Sequence, residues 1–76
     1  MEPELFEFYY MAGRNLAYYR RLCGLTQETL AELIDVDSRT VSRVETASQR
    51  VRLDFLYKAS IVLKIPVSRF LEFHAG

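Results

Sequence analysis

Apolar residues recur along this chain at intervals of three and four, a spacing that predicts helices. Leu5, Phe8, Ala12, Leu16 and Tyr19 fall on one stripe. Gly24 follows as a stop, because glycine enters the left-handed conformation that ends a helix without steric cost, and Glu2, Glu4 and Glu7 suit the positive end of the helix dipole. The first helix is expected from about Glu4 to Cys23. Thr26 then offers a hydroxyl to free backbone N–H groups, and Leu30, Ala31, Leu33 and Ile34 supply the apolar face of a short second helix. Asp37 caps a third helix, Ser38 to Thr46, in which Val41 and Val44 face inward while Ser38, Arg39, Thr40, Ser42 and Arg43 point elsewhere. Only Asp35, Val36 and Asp37 remain for the turn between them. Leu53, Leu56, Ala59, Ile61, Val62 and Leu63 predict a fourth helix, and Pro66 fits the first turn of a fifth that carries Val67, Phe70 and Leu71. The expectation is a compact all-α fold of five helices in a single domain over residues 1–76, with 1–11 extending the first helix.

A chain of 76 residues holds one small core and, on that ground, only about 3–5 kcal/mol of net stability. Half the residues are hydrophobic and glycine and proline are scarce, which excludes a disordered or fibrous chain. The apolar runs are too short to cross a bilayer, and the N-terminus lacks the cationic start of a signal peptide, so a cytoplasmic protein is expected. Cys23 is the only cysteine, which excludes an internal disulfide and a multi-cysteine zinc site; packing as a small hydrophobe at the helix end is its expected role. His74, the only histidine, has no second metal ligand near it in sequence. No metal, cofactor or small-molecule ligand is implied. No nucleophile is paired with a base, so an enzyme is not expected either.

Formal net charge is zero, yet the charges are segregated. Glu2, Glu4 and Glu7 lie at the N-terminus, whereas Arg39, Arg43, Arg50 and Arg52 face only Glu45 across residues 38–52. The zero sum argues against the strongly basic footprint usual for a nucleic-acid-binding domain, but acid and base occupy different ends of the sequence.

The string from Arg20 through Leu33, with Leu25-Thr26-Gln27-Glu28 opening the second helix and Leu30-Ala31 within it, continues through Val36, Thr40, Val41, Ser42, Arg43 and Glu45. In that register it resembles the Cro/repressor (lambda repressor-like, xenobiotic-response-element-type) helix-turn-helix family over about Ala12 to Leu71. The resemblance implies a lambda repressor-like DNA-binding domain with its helix-turn-helix at the second and third helices. It also implies double-stranded DNA as partner, the third helix in the major groove and the start of the second on the phosphate backbone. Gln27 matches the family glutamine that meets a phosphate. Ser38, Arg39, Thr40, Ser42 and Arg43 would face the groove, with Arg50 and Arg52 as flanking phosphate contacts. Arg20 and Glu45 match positions that form a structural ion pair. The implied function is a sequence-specific transcriptional regulator, a repressor acting as a homodimer. The alternative is a protein-interaction module of the same fold, such as an antitoxin or the N-terminal part of a longer sensor; within the DNA-binding class a prophage repressor, an antitoxin, a restriction-modification controller and a sensor fragment all stay open.

Asp35, Ala47 and Lys64 stand where the family commonly has glycine. An alanine held at positive φ costs about 1–2 kcal/mol, so either the third helix runs on past Ala47 or its loop is shaped differently. Finally, Phe6, Tyr9 and Tyr10 exceed what the core stripe of the first helix uses, and Phe73 adds an aromatic at the other end. These four are the expected dimer interface, with Phe70 expected in the core; an N-terminal arm folded back on its own subunit is the alternative.

Overall fold

The first helix, α1, spans Pro3–Leu22 in a computed structural model that describes residues 2–73. His74 lies outside the described residues. Pro3 sits in the first turn, where its missing N–H would have no intrahelical partner anyway. Gly24 stops the helix at φ +73°, its N–H donating to the Arg21 carbonyl at 2.9 Å while Leu25 donates to that of Arg20 at 3.1 Å. Helices α2 (Gln27–Ile34) and α3 (Ser38–Glu45) follow, then α4 (Leu53–Leu63). Val67–Leu71 closes the described chain as a 3-10 helix of five residues, with Pro66 as its N-cap. The fold is thus four α-helices and a 3-10 helix, with no strand among the described residues.

Both expected caps form. The Thr29 N–H donates to Thr26 Oγ1 at 3.0 Å, and the Arg39 N–H to Asp37 Oδ1 at 2.8 Å. Between them Asp35 takes a left-handed conformation (φ 58°), and the chain reverses in three residues. Ala47 and Lys64 are left-handed as well, at φ 56° and 58°. All three positions therefore keep the glycine-like backbone without glycine, and α3 ends at Glu45 rather than running on.

Leu16, Leu30, Val41 and Phe70 are completely enclosed, each from a different element; burying one such side chain is worth about 1.5–3 kcal/mol. Ala31, Ile34, Val44, Phe55, Leu56, Ala59 and Leu63 complete this core, with Val36, Val51, Val62 and Val67 among the half-buried residues around it. Two close approaches hold the elements in place. Gly13 lies against α3, where a Cβ would stand 2.3 Å from the Val44 carbonyl oxygen, so only glycine permits this crossing. Asn15, buried, donates its amide to the carbonyls of Phe70 at 2.9 Å and Glu72 at 2.6 Å and thereby pins the C-terminal segment to α1.

Several residues expected in the core are outside it. Phe8 is exposed because α1 has nothing packed on its first turns, and burial begins at Met11. Leu33 sits about 100° around α2 from the buried Leu30, Ala31 and Ile34, a face no other element covers. Leu53 and Ile61 are exposed with Tyr57 between them, an i, i+4, i+8 stripe on the outer side of α4. Leu71 is exposed as the last residue of the 3-10 helix, and Cys23 is exposed rather than packed. Phe55, which the periodicity did not select, takes the inner place on α4.

Candidate nucleic-acid interface

On α3 the inward residues are Val41, Val44 and Glu45. At about 100° per residue this leaves Arg39, Ser42, Arg43 and Thr46 on the opposite side, with Ser38 and Thr40 on the two flanks. Arg39 and Arg43 are exposed and Ser42 is half-buried. Ser38, Arg39 and Ser42 join Arg20, Thr26, Gln27 and Glu28 around an open cleft of about 420 Å³ between the starts of α2 and α3. Thr40 turns to the other flank, into a smaller hollow shared with Val36, Gln49, Arg52 and Phe55. Thr46 was not anticipated, since it falls at the helix end; its hydroxyl donates to the Ser42 carbonyl at 3.0 Å and contacts the Ser48 hydroxyl at 2.8 Å.

The cleft is backed by a buried ion pair. Arg20 Nε meets Glu45 Oε2 at 2.7 Å and its Nη2 donates to Oε1 at 3.1 Å, while Nη1 donates to the Leu25 carbonyl at 2.7 Å. The two side chains are only 8% and 4% exposed, so this is an interior pair, not a solvated one. Gln27 Nε2 also donates to Glu45 Oε1, at 2.9 Å. This contact was not foreseen, because nothing in the sequence marks a first-turn glutamine as facing a residue 18 positions away. It fixes the Gln27 side chain, and with the Thr29 N–H taken by Thr26 Oγ1, the backbone N–H groups of Gln27 and Glu28 are the ones at the start of α2 without an intrahelical partner.

The pair also changes the electrostatics. Glu45 is neutralised inside by Arg20, so it subtracts nothing from the surface, where Arg39, Arg43, Arg50 and Arg52 are all exposed. Arg50 and Arg52 lie in the loop between α3 and α4, and Arg52 Nε contacts Asp54 Oδ1 at 3.2 Å. That hydrogen bond holds the Asp54 carboxyl below its ordinary range, helped by the charge of Arg52 and the Phe55 N–H. The contact is therefore present at neutral pH and is lost as the pH falls through the lowered carboxylate range.

The four expected interface aromatics are placed differently. Phe6, Tyr10 and Phe73 line an open groove of about 880 Å³ along α1, together with Glu7, Met11, Arg14, Asn15, Tyr18 and Tyr19. Tyr9 is half-buried beside Phe8, ring centroids 5.6 Å apart, and is not part of the groove. Residues 3–10 remain within a continuous helix and do not fold back.

The comparisons with known proteins bear on the same region. The sequence profile of the helix-turn-helix family matches residues 16–70. Among solved structures, the fold is similar to that of the restriction-modification controller protein C.AhdI from Aeromonas hydrophila. The TM-score is 0.78 and the identity 32%, over 82% of this chain and 94% of that one. No curated protein matches.

Proposed function

The chain belongs to the Cro/repressor-type helix-turn-helix family and is a DNA-binding transcriptional regulator, and from that premise we propose that it acts as a sequence-specific repressor, as a homodimer on an inverted repeat. The observation that carries this reading is the outer face of α3, where Arg39, Ser42 and Arg43 stand free over a buried Arg20–Glu45–Gln27 network. Placed in the major groove, Arg39 at the second position of α3 donates a bidentate pair to a guanine, and Ser38, Thr40, Ser42 and Arg43 contact neighbouring bases or phosphates. Gln27 and the first-turn N–H groups of α2 take a phosphate at the cleft, and Arg50 and Arg52 hold the backbone beyond it. On this reading it acts in the cytoplasm. Among the alternatives left open by the sequence, control of restriction-modification genes is favoured by the likeness to C.AhdI.

Salt titrations on cognate and scrambled duplexes test the reading. Arg39→Ala is expected to cost about 1–3 kcal/mol on the cognate duplex and much less on the scrambled one, relaxing one base position per half-site. Arg52→Ala is expected to weaken both duplexes about equally and to lower the salt slope by roughly one unit. Equal losses on both duplexes for Arg39→Ala would remove it from base recognition. A protein with no steep salt dependence on any DNA would instead be an interaction module of the same fold.

A further inference from the structure

The outward side of α1 carries Pro3, Glu7, Tyr10, Arg14, Tyr18 and Arg21, spaced four and three residues apart on the side away from Ala12 and Leu16. This is the spacing of a helix-pairing seam. It is ordered by charge: acid precedes the aromatic Tyr10 and base follows it. Glu7, Tyr10 and Arg14 all precede residue 16, so the seam begins outside the region matched by the family profile. Among the described residues neither Glu7 nor Arg14 has an ion-pair partner. Being seven residues apart, they lie two turns from one another on the same face.

Resting on the homodimer reading above, we propose that this seam is an interaction surface for a second copy of the chain, the two α1 helices packing antiparallel about a twofold axis level with Tyr10 and Met11. Glu7 and Arg14 each lie three and a half residues from that level, about 5 Å along the helix. An antiparallel copy therefore brings Glu7 of each chain opposite Arg14 of the other, twice over, with the two Tyr10 rings between them. Phe6, one turn out, enters the groove of the partner that Asn15, Tyr19 and Phe73 border. A parallel arrangement would set glutamate against glutamate and arginine against arginine, so the charge order selects orientation as well as occupant. The apolar stripe of Leu53, Tyr57 and Ile61 on α4 carries no comparable charge order and is a separate surface.

Sedimentation equilibrium of the full chain at low salt tests this with charge reversals. Glu7→Arg and Arg14→Glu are each expected to weaken self-association by about tenfold or more, since each places like charges across both symmetric contacts. An equimolar mixture of the two variants restores opposite charges at every contact and is expected to associate to within about threefold of the unsubstituted chain. A fold defect in either variant could not produce that recovery. Single variants that associate like the parent, or a mixture no tighter than its components, would overturn the α1 pairing. If the reversals have no effect and Tyr57→Ala abolishes the dimer, the homodimer stands with α4 as its seam and the α1 proposal falls. A monomer at every concentration overturns both.

Discussion

Glu45 shows how one residue joins stability to the site. Its carboxylate accepts from Arg20 twice and from Gln27 once, and the remaining reach of Arg20 is taken by the Leu25 carbonyl, so the buried charges are matched. Removing one partner alone leaves the other charge enclosed. Glu45→Ala is expected to cost about 3–5 kcal/mol in urea unfolding, whereas replacing both Arg20 and Glu45 by apolar residues of similar volume costs far less. A loss below about 1 kcal/mol would mean that solvent screens the pair. The Arg20–Glu45 partnership was legible from the positions of the two residues in the motif. Asn15 was not, because a polar residue on an apolar stripe does not announce a carbonyl 55 residues away.

At the scale of elements, the chain makes three helix exits in a left-handed conformation without using glycine. Lys64 is exposed, so Lys64→Gly removes backbone strain without removing packing. With about 1–2 kcal/mol of relieved strain against 0.4–1 of added unfolded-state entropy, a gain of roughly 0.5–1 kcal/mol is expected from chemical denaturation. Ala47→Gly is expected to gain less, since the Ala47 methyl is buried. The converse holds at Gly13. A Cβ there meets the Val44 carbonyl oxygen, a backbone atom that yields only if α3 moves, so Gly13→Ala is expected to destabilise by about 1–3 kcal/mol. Thermal unfolding would register it as a fall of roughly 4–8 °C per kcal/mol, and an unchanged midpoint would show that the helices cross with slack.

The molecule as a whole is electrically neutral but not uniformly so. Acidic residues gather at the start of α1, and exposed arginines gather on α3 and the loop after it. On the reading proposed above, the arginine side holds DNA and α1 a second copy. For a homodimer on an inverted repeat the half-site centres are expected about 10 base pairs apart. Inserting about five base pairs between half-sites turns one of them to the opposite side of the duplex, and electrophoretic titration is expected to show affinity falling toward that of a single half-site. Affinity indifferent to the insertion would mean that subunits bind independently.

By itself the sequence determined whatever depends on residues close together in the chain. Thr26 and Asp37 cap their helices because a short oxygen-bearing side chain reaches N–H groups only a few residues on, and Gly24 ends α1 through its own backbone freedom. The three-residue turn and the polar side of α3 follow from the same local rules. Tertiary structure decided what depends on which surface arrives opposite. Phe8, Leu33, Leu53 and Ile61 obey a helical period yet stay exposed because no element covers their faces, while Phe55 is buried because one does. Ala47 adopts a conformation its side chain disfavours where the chain turns from α3, packed on α1 and α2, toward α4, packed on α2. Gln27 is fixed by Glu45, and Gly13 is needed, only because α3 lies across the second half of α1 and against the start of α2, a proximity that periodicity does not encode.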